Sequence, residues 1–73
     1  MLKIKDNVDL KELEKFGFCK YESNYGFSYY AFDDLLINEE SRIISLFKIK
    51  EEELIRFFDL CQAGLVEKVV DNE

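Results

Sequence analysis

The chain has no histidine, no tryptophan and no proline, and only three glycines and two cysteines among its 73 residues. Without histidine, the commonest general base and the commonest transition-metal ligand are both missing. Serine or cysteine nucleophiles would have only lysine or a carboxylate as base, and nothing marks Ser23, Ser28, Ser41 or Ser45 as activated. There is no phosphate loop and no dinucleotide fingerprint. No apolar run approaches the ~18 residues of a membrane span, and the opening MLKIKDNVDL lacks a signal-peptide core. Cys19 and Cys61, far apart in a chain read as cytoplasmic, are expected to be free and partly buried rather than joined. The expectation is a non-enzyme with no catalytic residue, no metal ligand and no cofactor.

Positive charge is also scarce, and unevenly so. Sixteen carboxylates face ten Lys or Arg, giving a net charge of −6, and from Tyr21 to Ser41 there is no cation at all. Neutralised phosphates supply most nonspecific nucleic-acid affinity, so this balance opposes direct binding to nucleic acid or to an anionic membrane. It suits a protein that meets a basic partner surface.

What is present is apolar and aromatic: 48% hydrophobic and 15% aromatic residues. A chain this short forms one domain, residues 1–73, and buries only about 60% of the surface its unfolded form exposes. Large rings burying roughly 150–250 Å² each can build a core from few residues. Self-association is the other common supplement.

Local signals divide the chain. In VDLKELEKFGF (8–18), Asp9 is a good N-cap and Glu12 stands where a capping-box acid belongs. Val8 and Leu13 occupy the staple positions, Leu10, Leu13 and Phe16 recur at helical spacing, and Gly17 is a stop with Phe18 folding back on Leu13. A helix of about two turns is expected. In EEELIRFFDLCQAG (51–64), three acids suit the positive end of the helix dipole. Leu54, Phe57, Phe58 and Cys61 form an apolar face continued by Leu65. Gly64 stops this helix, with Leu60 and Leu65 repeating the closing contact. LVEKVV reads as a short strand and DNE as a fraying end. Between the helices, 25–32, 35–37 and 42–47 read as strands, the last two joined by NEES. Asp33-Asp34 is a tight turn or a bulge, and MLKIK is an edge strand placed beside LVEKVV. The fold class is α+β, a small three- to four-stranded antiparallel sheet packed against two helices in the order (β)-α-β-β-β-α-β.

Residues 16–32 hold eight of the eleven aromatic residues. Along the strand, Tyr25, Phe27 and Tyr29 share one face while Tyr30 and Phe32 share the other. Three arrangements fit: a strand covered on both faces, a bulge near Tyr29-Tyr30, or one aromatic face left exposed for a partner. Stacking on nucleic acid needs cations interleaved with the rings, and this stretch offers Glu22, Asp33, Asp34, Glu39 and Glu40 instead. Core is the first reading of these rings, and a tyrosine-bearing protein interface the second.

The acid runs Asp33-Asp34, Glu39-Glu40 and Glu51-Glu52-Glu53 lack the alternating spacing of a calcium loop. They read as a turn, a hairpin tip and a helix start. A sharper reading merges the acids of 33–40 and 51–53 into one negative surface that imitates a phosphate backbone or blocks a basic groove. A solvated acidic face is the plainer one.

The two ends, LKIKDNVDLKELEKFGF and LCQAGLVEKV, resemble the frame of small uncharacterised proteins encoded by phages and prophages of Firmicutes. The resemblance covers roughly the first eighteen and last twenty residues and carries no catalytic or binding motif. It implies a bacterial cytoplasmic setting and an accessory, non-virion role, often as an inhibitor of a host factor such as a defence enzyme. The expected activity is therefore non-enzymatic binding of a bacterial host protein, a defence nuclease or another basic-surfaced protein. Its expected contacts are Tyr25, Tyr29, Tyr30, Asp33, Asp34, Glu39 and Glu40. The alternatives are a self-associating protein, whose aromatic face closes a homodimer, and a small-ligand sequestering protein.

Overall fold

The structure, a computed structural model, describes residues 1–48 and 50–69. The end expected to fray, and Val70 at the close of LVEKVV, lie outside these residues. Strand β1 (Leu2–Ile4) is followed by a 3-10 helix (Leu10–Phe16) and strands β2 (Cys19–Glu22), β3 (Ser28–Phe32), β4 (Leu35–Asn38) and β5 (Ile44–Leu46). Helix α1 (Glu51–Gln62) and strand β6 (Val66–Lys68) complete the order. The fold is α+β. β2 to β5 form an antiparallel meander in the order β2-β3-β4-β5, and β1 pairs with β6 in a two-stranded sheet. The two sheets touch where Lys3 bridges Ile43 and the Ile4 N–H donates to the Arg42 carbonyl at 2.9 Å.

The helix ends follow the local chemistry. The Asp9 side chain accepts from the Lys11 N–H at 3.0 Å, as an N-cap does. Glu12 does not close a capping box but pairs with Lys15 at 2.9 Å. At the other end Gly17 takes φ 90° while the Phe18 N–H reaches Leu13 O and the Gly17 N–H reaches Glu14 O. The same closure ends α1: the Leu65 N–H donates to Leu60 O and the Gly64 N–H to Cys61 O, with Gly64 at φ 76°. These are paired Schellman bonds, which need a residue at positive φ and place an apolar contact across the stop. The first helix is 3-10, and Leu10, Leu13 and Phe16 recur along it every three residues. That period eclipses them on one line of a three-fold helix.

Asp33-Asp34 is a tight turn, with Phe32 opposite Leu35 and Asp33 at φ 52°. A two-residue hairpin loop requires such a backbone, and Asp tolerates it. The Asn38 side chain shapes the next turn by accepting from the Glu40 and Ser41 N–H groups at 2.9 and 2.8 Å. The strand boundaries differ from those read in the sequence: β3 starts at Ser28, β4 runs on to Asn38, and β5 is confined to Ile44–Leu46. Tyr25 lies in the turn between β2 and β3, where Gly26 has φ 88°, and Arg42 lies outside β5 at φ 63°.

The core forms on one face of the meander. Tyr30, Leu35, Ile37 and Ile44 meet Ile4, Leu10, Leu13, Phe18 and Leu60, with Phe16, Phe32, Phe57 and Leu65 packed at the margin. Helix α1 turns to this core a face one residue away from the most apolar one. Glu53, Phe57 and Leu60 point inward, at i, i+4 and i+7, while Leu54, Ile55 and Phe58 are exposed. Two anchors fix this rotation: Leu60 in the core and Leu65 closing back on it before β6. Cys61, expected in the core, is therefore exposed, and so is Cys19; both are free thiols.

Candidate functional site: the outer face of the sheet

The ladder between β2, β3 and β4 is regular through Tyr29 and Tyr30, with Tyr21 opposite Tyr29 and Tyr30 opposite Ile37. No bulge changes the parity, so the aromatic residues divide between the two faces. Tyr30 is a core residue at 5% exposure; it is not one of the contact residues, as the sequence suggested, because register puts it opposite Ile37 on the buried face. The other face carries Tyr21, Tyr29, Ala31, Leu36, Asn38 and Ser45. It is extended by Phe27 before β3 and Phe47 after β5.

Among the described residues no secondary-structure layer lies over this outer face, because the helices contribute to the core on the other side. The Tyr21 and Tyr29 rings stack with centroids 5.6 Å apart and planes 20° apart, and Phe27 tilts against Tyr29 at 6.1 Å. Phe27, Tyr29, Leu36, Asn38, Ser45 and Phe47 line a shallow hollow of about 340 Å³. Tyr21, Phe27 and Phe47 are each about half exposed, so three rings leave on the order of 300 Å² of aromatic surface open. That approaches the largest apolar patch of a typical monomer, which is often functional.

The strands of this face contribute no charged side chain to it; charge gathers at its two ends. Asp33 and Asp34 form the turn at one end of β4, and Glu39 and Glu40 the turn at the other. At about 3.3 Å per residue, β4 holds the two pairs roughly 15 Å apart. The sharper of the two acidic readings, one merged surface of residues 33–40 and 51–53, does not fit this arrangement. The pairs are separated by the strand, and Glu53 of the third acid run is wholly buried. Glu39 is also partly engaged, 3.4 Å from Lys20 Nζ. Tyr25 stands at the tip of the β2–β3 turn, 91% exposed.

Tyr29 is thus the one expected tyrosine on the outer face, joined by Tyr21, Phe27, Leu36 and Phe47, which the sequence reading did not select. The signal that finds them is the strand ladder: once CKYE is a strand, Tyr21 and Tyr29 must share a face. A second exposed apolar patch, Leu54, Ile55 and Phe58, lies on α1. Beside it the Arg56 guanidinium sits 5.2 Å over the Phe32 ring, a cation–π contact. Among the described residues, no group of three or more His, Cys, Asp or Glu side chains is placed to hold a metal ion. No helix of the described residues is long and apolar enough to cross a membrane.

Comparison of the chain with protein-family models, with curated proteins and with solved structures gives no match.

Proposed function

We propose that this chain is a non-enzymatic protein-binding module, a cytoplasmic accessory protein of phage or prophage type that occludes or modulates a bacterial host protein. One observation carries the reading: an uncovered aromatic face, free of charge along its strands, with a pair of acids at each end. Aromatic side chains supply large contact area, and Tyr adds a polar tip that makes it common at interfaces. The acids select the partner by complementary charge. The matching surface is an apolar patch bordered by Lys or Arg, as a defence nuclease or another basic-surfaced protein would present. The resemblance of the chain's ends to phage and prophage proteins supplies the bacterial setting.

The test is capture of host proteins on tagged wild type, on a Tyr21→Ala, Phe27→Ala double variant and on a Phe58→Ala control. Folding of each variant is checked first by circular dichroism. The expected result is one target retained by wild type and by Phe58→Ala, lost by the double variant, and weakened by salt. A target that survives loss of the outer rings, or no target at all, overturns the reading.

A further inference from the structure

The free edge of the meander is a second surface open to a partner. β2 ends the four-stranded sheet, and all four of its residues are exposed. An exposed edge presents unpaired N–H and C=O groups to another strand, and which residues present them follows from the hydrogen bonds. The Ser23 N–H donates to Phe27 O at 2.8 Å, marking a bonded position in the β2–β3 ladder. Bonded and non-bonded positions alternate along an antiparallel pair, so Tyr21 is bonded to β3, while Lys20 and Glu22 are not. The other side agrees. Ser28, opposite Glu22, gives its carbonyl to the Glu39 N–H on the β4 side at 3.0 Å. Lys20 and Glu22 therefore turn their backbone N–H and C=O groups to the free edge.

We infer that β2 pairs antiparallel with β2 of a second copy of this chain, about a two-fold axis at Tyr21, with Lys20 of each copy opposite Glu22 of the other. Backbone parity and charge select this register together. The outward groups belong to residues 20 and 22, so these must face one another. An axis at Lys20 opposes two ammonium groups, and an axis at Glu22 opposes two carboxylates. Only the axis at Tyr21 sets opposite charges face to face, and directly opposed charge pairs stabilise strands where like charges destabilise them. Glu22, which has no ion-pair partner among the described residues, gains Lys20 of the second copy; each Lys20 then lies between Glu22 of the other copy and its own Glu39.

Tyr21 then meets Tyr21 of the second copy at a non-bonded position, where backbones approach to about 4.5 Å and side chains are closest. Each Tyr21 already stacks on its own Tyr29. The pairing thus draws four tyrosines into one row and joins two outer faces into a continuous surface across an eight-stranded sheet. Charged residues usually protect an edge from such pairing. Here their alternation leaves one register attractive and its neighbours repulsive. This dimer does not depend on the proposed host target, since it forms from the purified chain alone.

Sedimentation velocity from micromolar to millimolar concentration tests it on wild type, Lys20→Glu, Glu22→Lys, and the double exchange. Wild type is expected to show a concentration-dependent dimer. Each single variant should raise its dissociation constant roughly tenfold or more through like-charge opposition. An equimolar mixture of the two single variants should form a heterodimer, and the double exchange should restore the homodimer. Lys20→Glu also sets a second acid beside Glu39, so Glu22→Lys, which disturbs no ion pair of the described residues, decides if the former fails to fold. A wild type monomeric throughout, or a dimer indifferent to both exchanges, as one formed through Leu54, Ile55 and Phe58 would be, overturns the inference.

Discussion

Among the described residues Glu53 is the one buried charged residue, at 0% exposure, and neither of its carboxylate oxygens has a hydrogen-bond partner there. It stands in the first turn of α1 but does not cap it; Lys50 at the N-cap position has no side-chain bond. A buried polar group left unpaired costs about 1–3 kcal/mol, and more when charged. Its place near the positive end of the helix dipole offsets about 0.3–1 kcal/mol of that. Glu53→Met keeps a long unbranched side chain of similar helix propensity. It removes the desolvation cost and forfeits only the smaller dipole stabilisation. The expected net effect is a stabilisation of about 1–2 kcal/mol. At about 4–8 °C per kcal/mol for a domain of this size, the melting temperature rises accordingly. Glu53→Gln, still polar and unpaired, should gain less. Urea unfolding followed by circular dichroism measures this, with a shared slope confirming that only stability has changed. A midpoint for Glu53→Met at or below wild type refutes the reasoning, since it would mean that the carboxylate is held by a favourable partner.

The remaining predictions concern how the chain is pinned together. The Arg42 guanidinium donates from Nη1 to the carbonyls of Lys5 and Val8, at 2.7 and 2.6 Å; bonds from a charged donor count for more than neutral ones, so Arg42→Met should lose about 2–4 kcal/mol in urea unfolding. A Cβ on Gly17 would sit 3.4 Å from the Phe32 ring at φ 90°, whereas one on Gly64 would meet nothing at φ 76°; Gly17→Ala should therefore destabilise by about 2 kcal/mol and Gly64→Ala by about 1, and equal losses would show that the ring yields. Lys3 Nζ lies 2.9 Å from Asp6 Oδ1, and this bond and its charge hold the Asp6 carboxyl below its ordinary range. A depressed folded pKa stabilises above the unfolded value and loses that contribution as pH falls through the folded one. The effect is small and screened by salt because Asp6 is exposed; Lys3→Met should raise the Asp6 titration midpoint by carboxyl-detected NMR, and an unmoved midpoint would assign the depression to another group.

The helix stops and hairpin turns were legible in the sequence because each rests on a single residue with special chemistry. Gly17 and Gly64 mark the two Schellman closures, Asp33 the tight turn, and Asn38 the longer one. The pairing of β1 with β6 was legible as well, from two short apolar segments left over at the ends. The rotation of α1 was not. Two faces one residue apart compete in EEELIRFFDLCQ, and apolar count favours the one bearing Leu54, Phe58 and Cys61. The choice is made by the chain beyond the helix, where Leu65 must close on Leu60 and lead into β6. Strand β2 escaped because CKYE is short, lies at an edge with every residue exposed, and alternates with its apolar Cys19 and Tyr21 on the outer face and its charged Lys20 and Glu22 on the core side. Tyr30 was misplaced for a related reason. Five consecutive residues of β3 offer rings on both faces, and only the register against Ile37 tells which face is buried.

That division of the rings separates folding from recognition. Among the described residues the core is built from nine apolar side chains, of which Phe18 and Tyr30 are the aromatic members. Both helices and the β1–β6 pair contribute to the same side of the meander, so among the described residues the outer rings have no layer to pack against. A small domain has too little chain to cover both faces of a four-stranded sheet. Apolar surface left open in this way contributes little to folding and is available for association, where its burial is favourable. The absence of cations from Tyr21 to Ser41 has the same consequence for specificity. Asp33-Asp34 and Glu39-Glu40 stand at the two ends of the face, with Lys20 3.4 Å from Glu39, and under the proposed function it is these acids that favour a partner bringing Lys or Arg. Register leaves the aromatic face open, and on the proposed function a basic-bordered apolar surface covers it, while the β2 edge beside it is where the inferred second copy would extend that face.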